Sequence, residues 1–210
     1  MKDSMKIILL HGLYMHGIAL QPLRQQLNQL GYTTEVLSYN TVAIDDEKLF
    51  SHIDAALDEA QTNILVGHSL GGLMIKNYLA SRQPPPTQIS HVVTLGSPLQ
   101  GASIINKIQA MGFGMILGNA PHHGLQQHQD EWRFPQKLGS IAGNLAFGIR
   151  PMLFGNDTAS DGTITVEETK IAGMTDHLEI GYAHTTMLYS QTLASQINEF
   201  IRHDRFQPES

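Results

Sequence analysis

The chain has 210 residues, 41% of them hydrophobic, enough to bury a full core, and residues 1–210 are expected to form a single domain. A net charge of −6, from 13 basic and 19 acidic residues with no basic cluster, argues against nucleic acid as a partner. Cysteine is absent, which removes disulfides, thiolate metal sites and a cysteine nucleophile and leaves oxygen and nitrogen groups for any chemistry.

The N-terminus carries charge without a long apolar segment behind it, because the run Ile7 to Leu10 stops at His11-Gly12. No signal peptide is expected, and no later stretch reaches the roughly 20 apolar residues of a membrane span, so the expectation is a soluble, cytoplasmic protein. Lys6 to Leu10 predicts a central strand buried on both faces, and His11-Gly12 falls at its carboxyl end, where ligands sit in open α/β sheets. Leu20, Leu23, Leu27 and Leu30 share one helical face closed by Gly31, and Thr33 to Tyr39 reads as the next strand. Asp45 or Asp46 begins a helix with Leu49, Ile53, Ala56 and Leu57 on its apolar face.

Asn63 to Val66 is a short buried-strand run, and Leu70 to Ser81 follows with Leu73, Met74, Tyr78 and Leu79 at helical spacing until Pro84-Pro85-Pro86. Ile89 to Leu95 is another apolar strand. From 102 to 134 the alternation breaks down, in an insertion that is either a cap or lid over a site or a helical excursion packed on the sheet. Gln136 to Gly143 predicts a strand, 144–160 a long loop, His177 to Tyr182 a last strand, and Tyr189 to Arg202 a closing helix. The plan is α/β: a doubly wound, mostly parallel sheet of about six strands with helices on both faces.

Between the strand ending at Val66 and the helix beginning at Leu70 stands Gly67-His68-Ser69-Leu70-Gly71. Gly-x-Ser-x-Gly at a strand-to-helix junction is what a sharp turn requires, since Gly67 and Gly71 let backbones approach where a Cβ would clash. The turn lifts the Ser69 hydroxyl clear of the sheet and aims the Leu70 N–H at any charge developing beside it. A serine hydroxyl needs a base, and the base needs an orienting carboxylate. Of 11 histidines, His184 follows the last strand and emerges at the same sheet edge as Ser69, whereas His177 sits at the other end of that strand. Asp161, in Ser160-Asp161-Gly162, is the leading carboxylate, with Asp157 and Asp176 as rivals.

The order Ser69, Asp161, His184 is that of the α/β-hydrolase fold. His11-Gly12, Gly67 to Gly72, and Ser160-Asp161-Gly162 through His184-Thr185-Thr186-Met187-Leu188 together resemble the lipase and esterase branch of that superfamily. They are also similar to the glycosylphosphatidylinositol inositol-deacylase-like group, and Thr94 to Gly101 is similar to a segment those lipases carry after the next strand. The resemblance implies a minimal α/β-hydrolase without N-terminal antiparallel strands and with a short cap. It implies the Leu13 N–H as a second oxyanion donor beside Leu70, a structural hydrogen-bonding role for His11, and no cofactor.

Tyr14, Met15, His68, Met111 and Met115 are candidate substrate contacts, the methionines as walls of an acyl pocket or as plain core. His122, His123 and His128, with Asp130 nearby, match no firm ligand spacing, so no metal is expected. Glu167-Glu168 and Asp45-Asp46-Glu47 read as solvated faces. The function expected is a serine carboxylic-ester hydrolase working through an acyl-enzyme on a small-molecule ester or lipid-like substrate. The alternatives are an acyltransferase or thioesterase with the same residues, a non-hydrolytic enzyme of the same fold such as a cofactor-free lyase, or a binding protein that keeps the pocket without turnover.

Overall fold

The computed structural model describes residues 5–112, 114–126, 130–155 and 158–207. His128 and Asp157, singled out above, lie outside the described residues.

Six strands form one sheet: β1 (Met5–Leu10), β2 (Thr33–Leu37), β3 (Thr62–His68), β4 (Ile89–Leu95), β5 (Lys137–Gly143) and β6 (Asp176–Ile180), in the order β2-β1-β3-β4-β5-β6. Every pairing is parallel. All strand ends therefore share one edge. The chain moves from β1 outward to β2 and then returns past β1 to β3, so the order reverses between β1 and β3. Open α/β sheets bind ligands at such a reversal, and the Ser69 turn after β3 lies there.

Successive residues of β1 point to opposite faces. Ile8 and Leu10 join a core built with α2 (Asp46–Ala56), α3 (Leu70–Arg82) and α4 (Ser103–Ala110), while Ile7 and Leu9 join one built with α1 (Gln21–Gln29) and α6 (Gln191–His203). Helix α2 begins where the Asp45 carboxylate accepts from the Lys48 N–H at 3.0 Å. Helix α3 is buried nearly all round, which leaves it little amphipathic signal. Among the described residues no helix is long and apolar enough to cross a membrane.

Two stretches differ from the sequence reading. The predicted 144–160 loop contains a short helix, α5 (Ile149–Phe154), which has Pro151 inside it and Gly148 and Gly155 at its ends. Six residues around a proline carry no readable periodicity. Glu168 is also not solvated: its carboxylate accepts from the Ser103 N–H at 2.6 Å and the Thr165 N–H at 2.9 Å. The buried Arg150 donates to Ser103 Oγ at 2.9 Å, so Ser103 ties the start of α4 to both Glu168 and α5. The 102–134 segment is α4 followed by 3-10 turns at Gly114–Leu117 and Ala120–His123.

Candidate active site

Ser69 joins β3 to α3 with φ +54 and ψ −121, a conformation that costs a non-glycine residue about 1–3 kcal/mol. The surrounding glycines make that turn possible. A Cβ at Gly67 would lie 2.4 Å from the Gly72 nitrogen, and one at Gly71 would lie 2.4 Å from the Leu10 carbonyl oxygen. The start of α3 is thus pressed against the end of β1. On the other side, the Ser69 N–H donates to the Leu95 carbonyl at 2.9 Å, which seats the serine beside the end of β4.

Gly96, the next residue of that segment, packs against Asp161 and His184: a Cβ on it would meet Asp161 Oδ2 at 2.9 Å and His184 Nδ1 at 3.0 Å. The two are bonded to each other, Nδ1 to Oδ2, at 2.6 Å. Asp161 is 1% exposed, and its other oxygen accepts from the Thr163 and Ile164 N–H groups at 2.9 and 2.8 Å. Oδ1 thus faces two backbone donors and Oδ2 faces the His184 ring, so both oxygens serve as acceptors. The imidazole is then held as its Nδ1–H tautomer, with the Nε2 lone pair open to a hydroxyl proton.

Backbone donors complete the arrangement. Among the described residues neither the Leu13 nor the Leu70 N–H has a hydrogen-bond acceptor. Leu13 follows Gly12, whose Cα abuts the serine: a Cβ there would stand 2.8 Å from Ser69 Cβ. Two open amides therefore stand on the segments next to Ser69, one directly after it and one directly after Gly12.

His11 is structural in its bonding. Nδ1 donates to the Gly12 carbonyl at 3.0 Å, Nε2 accepts from the Tyr39 N–H at 3.3 Å, and the ring stacks on Tyr39 at 4.7 Å. Burial lowers its pKa below the ordinary histidine value, and the bond to Gly12 opposes that shift.

The candidate substrate contacts separate. Tyr14 and Met15 line an open cleft of about 850 Å³ with Tyr39, Thr41, Lys48 and His52, beside the β1 loop. Met111 and Met115 are exposed, 50% and 93%, on the 102–134 segment, where the Tyr14 hydroxyl bonds to the Ile116 carbonyl. His68 must be withdrawn as a substrate contact: it ends β3 facing inward, is 1% exposed, and spends Nε2 on the His184 carbonyl at 2.9 Å. The sequence offered no sign of this, because the facing carbonyl lies 116 residues away.

The rival carboxylate Asp176 opens β6 at the far edge of the sheet and accepts from the His177 and Phe206 N–H groups. His177 bonds to Thr169 Oγ1 at that edge. A second Ser-His-Asp contact lies there too: Ser90 Oγ to His91 Nδ1 at 2.8 Å and His91 Nε2 to Asp204 at 2.9 Å. Lys137 shares the Asp204 carboxylate, and no strand-to-helix turn presents Ser90. Of the histidines weighed above as metal ligands, His123 bonds to Asp46 at 3.1 Å, and no group of three residues able to hold a metal occurs among the described residues.

A sequence model of the PGAP1-like alpha/beta domain family matches residues 24–203. No curated protein sequence matches the chain. Solved structures of similar fold include the metagenomic carboxyl esterase MGS0156, with a TM-score of 0.71 and 15% identity over 97% of this chain and 77% of that one. A pyrethroid hydrolase from Sphingobium faniae JZ-2 has a TM-score of 0.60 and 15% identity over 95% and 98%. The Paleococcus ferrophilus monoacylglycerol lipase has 0.50 and 16% over 89% and 94%. The fold shared with these structures is that of the α/β-hydrolases.

Proposed function

As the chain belongs to the PGAP1-like alpha/beta domain family, we propose that it hydrolyses carboxylic esters with Ser69 as nucleophile, His184 as general base and acid, and Asp161 as the group that orients the imidazole. The observation that carries this reading is the Asp161–His184 pair at 2.6 Å, set beside a strained serine turn and two unpartnered amides.

In the first half-reaction Ser69 Oγ bonds to the ester carbonyl carbon while its proton moves to His184 Nε2. The displaced π electrons become an oxyanion held by the Leu13 and Leu70 N–H groups. Collapse breaks the bond to the alcohol oxygen, which takes the proton from His184, and the acyl group stays on Ser69. Water then repeats the sequence on the acyl-enzyme, with His184 again taking and returning the proton, and releases the acid.

The substrate class we favour has an apolar acyl part. Exposed Met115, Phe147 and Met152 stand on the segments that follow β4 and β5, at the edge carrying Ser69, and the 102–134 segment serves as one wall for the acyl chain. The test is mass spectrometry after a fluorophosphonate, beside turnover of nitrophenyl esters of increasing chain length. Stoichiometric labelling of Ser69, lost together with turnover in Ser69→Ala, is the expected result. Turnover that survives in Ser69→Ala would sink the acyl-enzyme mechanism.

A further inference from the structure

His68 stands directly before Ser69, yet its contacts are with His184. Its Nε2 lies 2.9 Å from the His184 carbonyl oxygen, and the two rings pack with centroids 4.7 Å apart at 46°. Its other nitrogen, Nδ1, is buried without a partner on the side facing Gly12. A carbonyl only accepts, so the proton of His68 must be on Nε2.

His184 itself comes from irregular chain. After β6 the backbone passes through Gly181, where a Cβ would meet nothing within 4 Å, before the next turn begins at Thr186. A local turn brackets His184, with the Met187 N–H donating to the Ala183 carbonyl at 3.1 Å and the Ala183 N–H to Thr186 Oγ1 at 3.2 Å, but none of these bonds reaches His184 itself, whose ring must be fixed to within a fraction of an ångström for proton transfer. His184 is held from outside at both main-chain groups. The His184 N–H donates to the Asp161 carbonyl at 2.9 Å, and the His184 carbonyl accepts from His68.

We propose that His68 is a positioning residue for the base: its Nε2–H holds the main chain of His184 and sets that imidazole relative to the serine next to His68 in the chain. The inference rests on the hydrolase reading of the same site. Through this one bond the strand that presents the nucleophile also carries the base, so a displacement of the turn moves both. The ring contact adds a requirement on charge, because His184 becomes an imidazolium in each half-reaction and a second cation 4.7 Å away would oppose it. Complete burial, with the neighbouring His184, pushes His68 down to about 3, so it remains a neutral donor.

The experiment compares His68→Gln, His68→Asn and His68→Phe in the full chain. Gln places an amide N–H where Nε2 stands, Asn places it at the Nδ1 position, and Phe keeps the ring without a donor. Phe and Asn are expected to lower kcat, and the rate of fluorophosphonate labelling at Ser69, on the order of 10- to 100-fold with KM little changed, and Gln to restore most of both. Wild-type kcat in a folded His68→Phe or His68→Asn overturns the proposal. So does an equal loss in Gln and Asn, which is the comparison to use if Phe does not melt cooperatively. A readout independent of turnover is the strongly deshielded proton NMR signal of the His184 Nδ1–H. It should persist in His68→Gln and broaden or vanish in His68→Asn, and its persistence in both overturns the positioning role. If the wild-type protein neither labels nor turns over any ester, the hydrolase reading fails while the proton signal still decides the role of His68.

Discussion

Asp161 and His184 are joined twice, once through the main chain, where the His184 N–H donates to the Asp161 carbonyl at 2.9 Å, and once through the side chains at 2.6 Å. The double connection makes the effect of an isosteric substitution specific. In Asp161→Asn the amide oxygen stays on the Thr163 and Ile164 N–H groups, which need an acceptor, and the NH₂ group is turned toward His184. A donor there drives the imidazole to its Nε2–H tautomer, which cannot take a proton from Ser69. The expected loss in kcat is on the order of 10³- to 10⁴-fold with little change in melting temperature, measured on a short nitrophenyl ester. Asp176→Asn, at the far edge of the sheet, should keep wild-type kcat.

Gly96→Ala tests the packing behind that pair. With φ at +55 and a Cβ position 2.9 Å from Asp161 Oδ2, alanine strains the backbone and displaces the Asp161–His184 contact together. The melting temperature should fall and kcat should fall further than stability loss explains. A variant as active per folded molecule as the wild type would show that Gly96 serves the backbone alone.

Acid should destabilise the protein through its buried histidines. His68 is pushed down to about 3, and His11 and His177 are also lowered, each chiefly by burial. With a folded pKa below the unfolded value of 6.5, each group binds more protons unfolded than folded between those two values, so stability rises with pH there. It is fully present above about 6.5 and is lost as pH falls toward the folded pKa values. Urea midpoints measured from pH 7 to pH 4 should decline steadily, and His68→Gln should flatten the decline by roughly one proton's slope.

Glu168→Ala removes the acceptor of two partly buried amides, Ser103 N–H and Thr165 N–H, and the carboxylate beside Arg150. Each amide left unpartnered costs about 1–3 kcal/mol, so a fall in melting temperature of several degrees is expected in a calorimetric scan. Because Ser103 begins α4, the same variant should raise KM for long-chain esters more than for short ones.

The sequence carried the parts of this molecule whose causes are local. The turn at Ser69 follows from Gly67 and Gly71 alone, and β1, β3 and β4 announced themselves as apolar runs. Residues 102–160 were harder because their order comes from contacts between distant segments: Arg150 with Ser103, Glu168 with Ser103, and Lys107 with the Leu153 carbonyl and the Phe154 ring. No window along the chain contains both halves of such a contact. His68 illustrates the same limit within a legible motif. Its neighbours identify the turn, but only the fold shows that its imidazole faces a carbonyl rather than a ligand.

The left-handed backbone at Ser69 also bears on how the fold could change over time. Replacing this one residue by glycine would relieve the strain and leave the sheet, the helices and the cleft intact, so the calmest form of this scaffold is one without a nucleophile. Each duplicated copy freed from selection for turnover has a downhill step open to it at a single codon. Inert relatives with Gly at this position and firmer melting transitions are what drift without selection should leave behind.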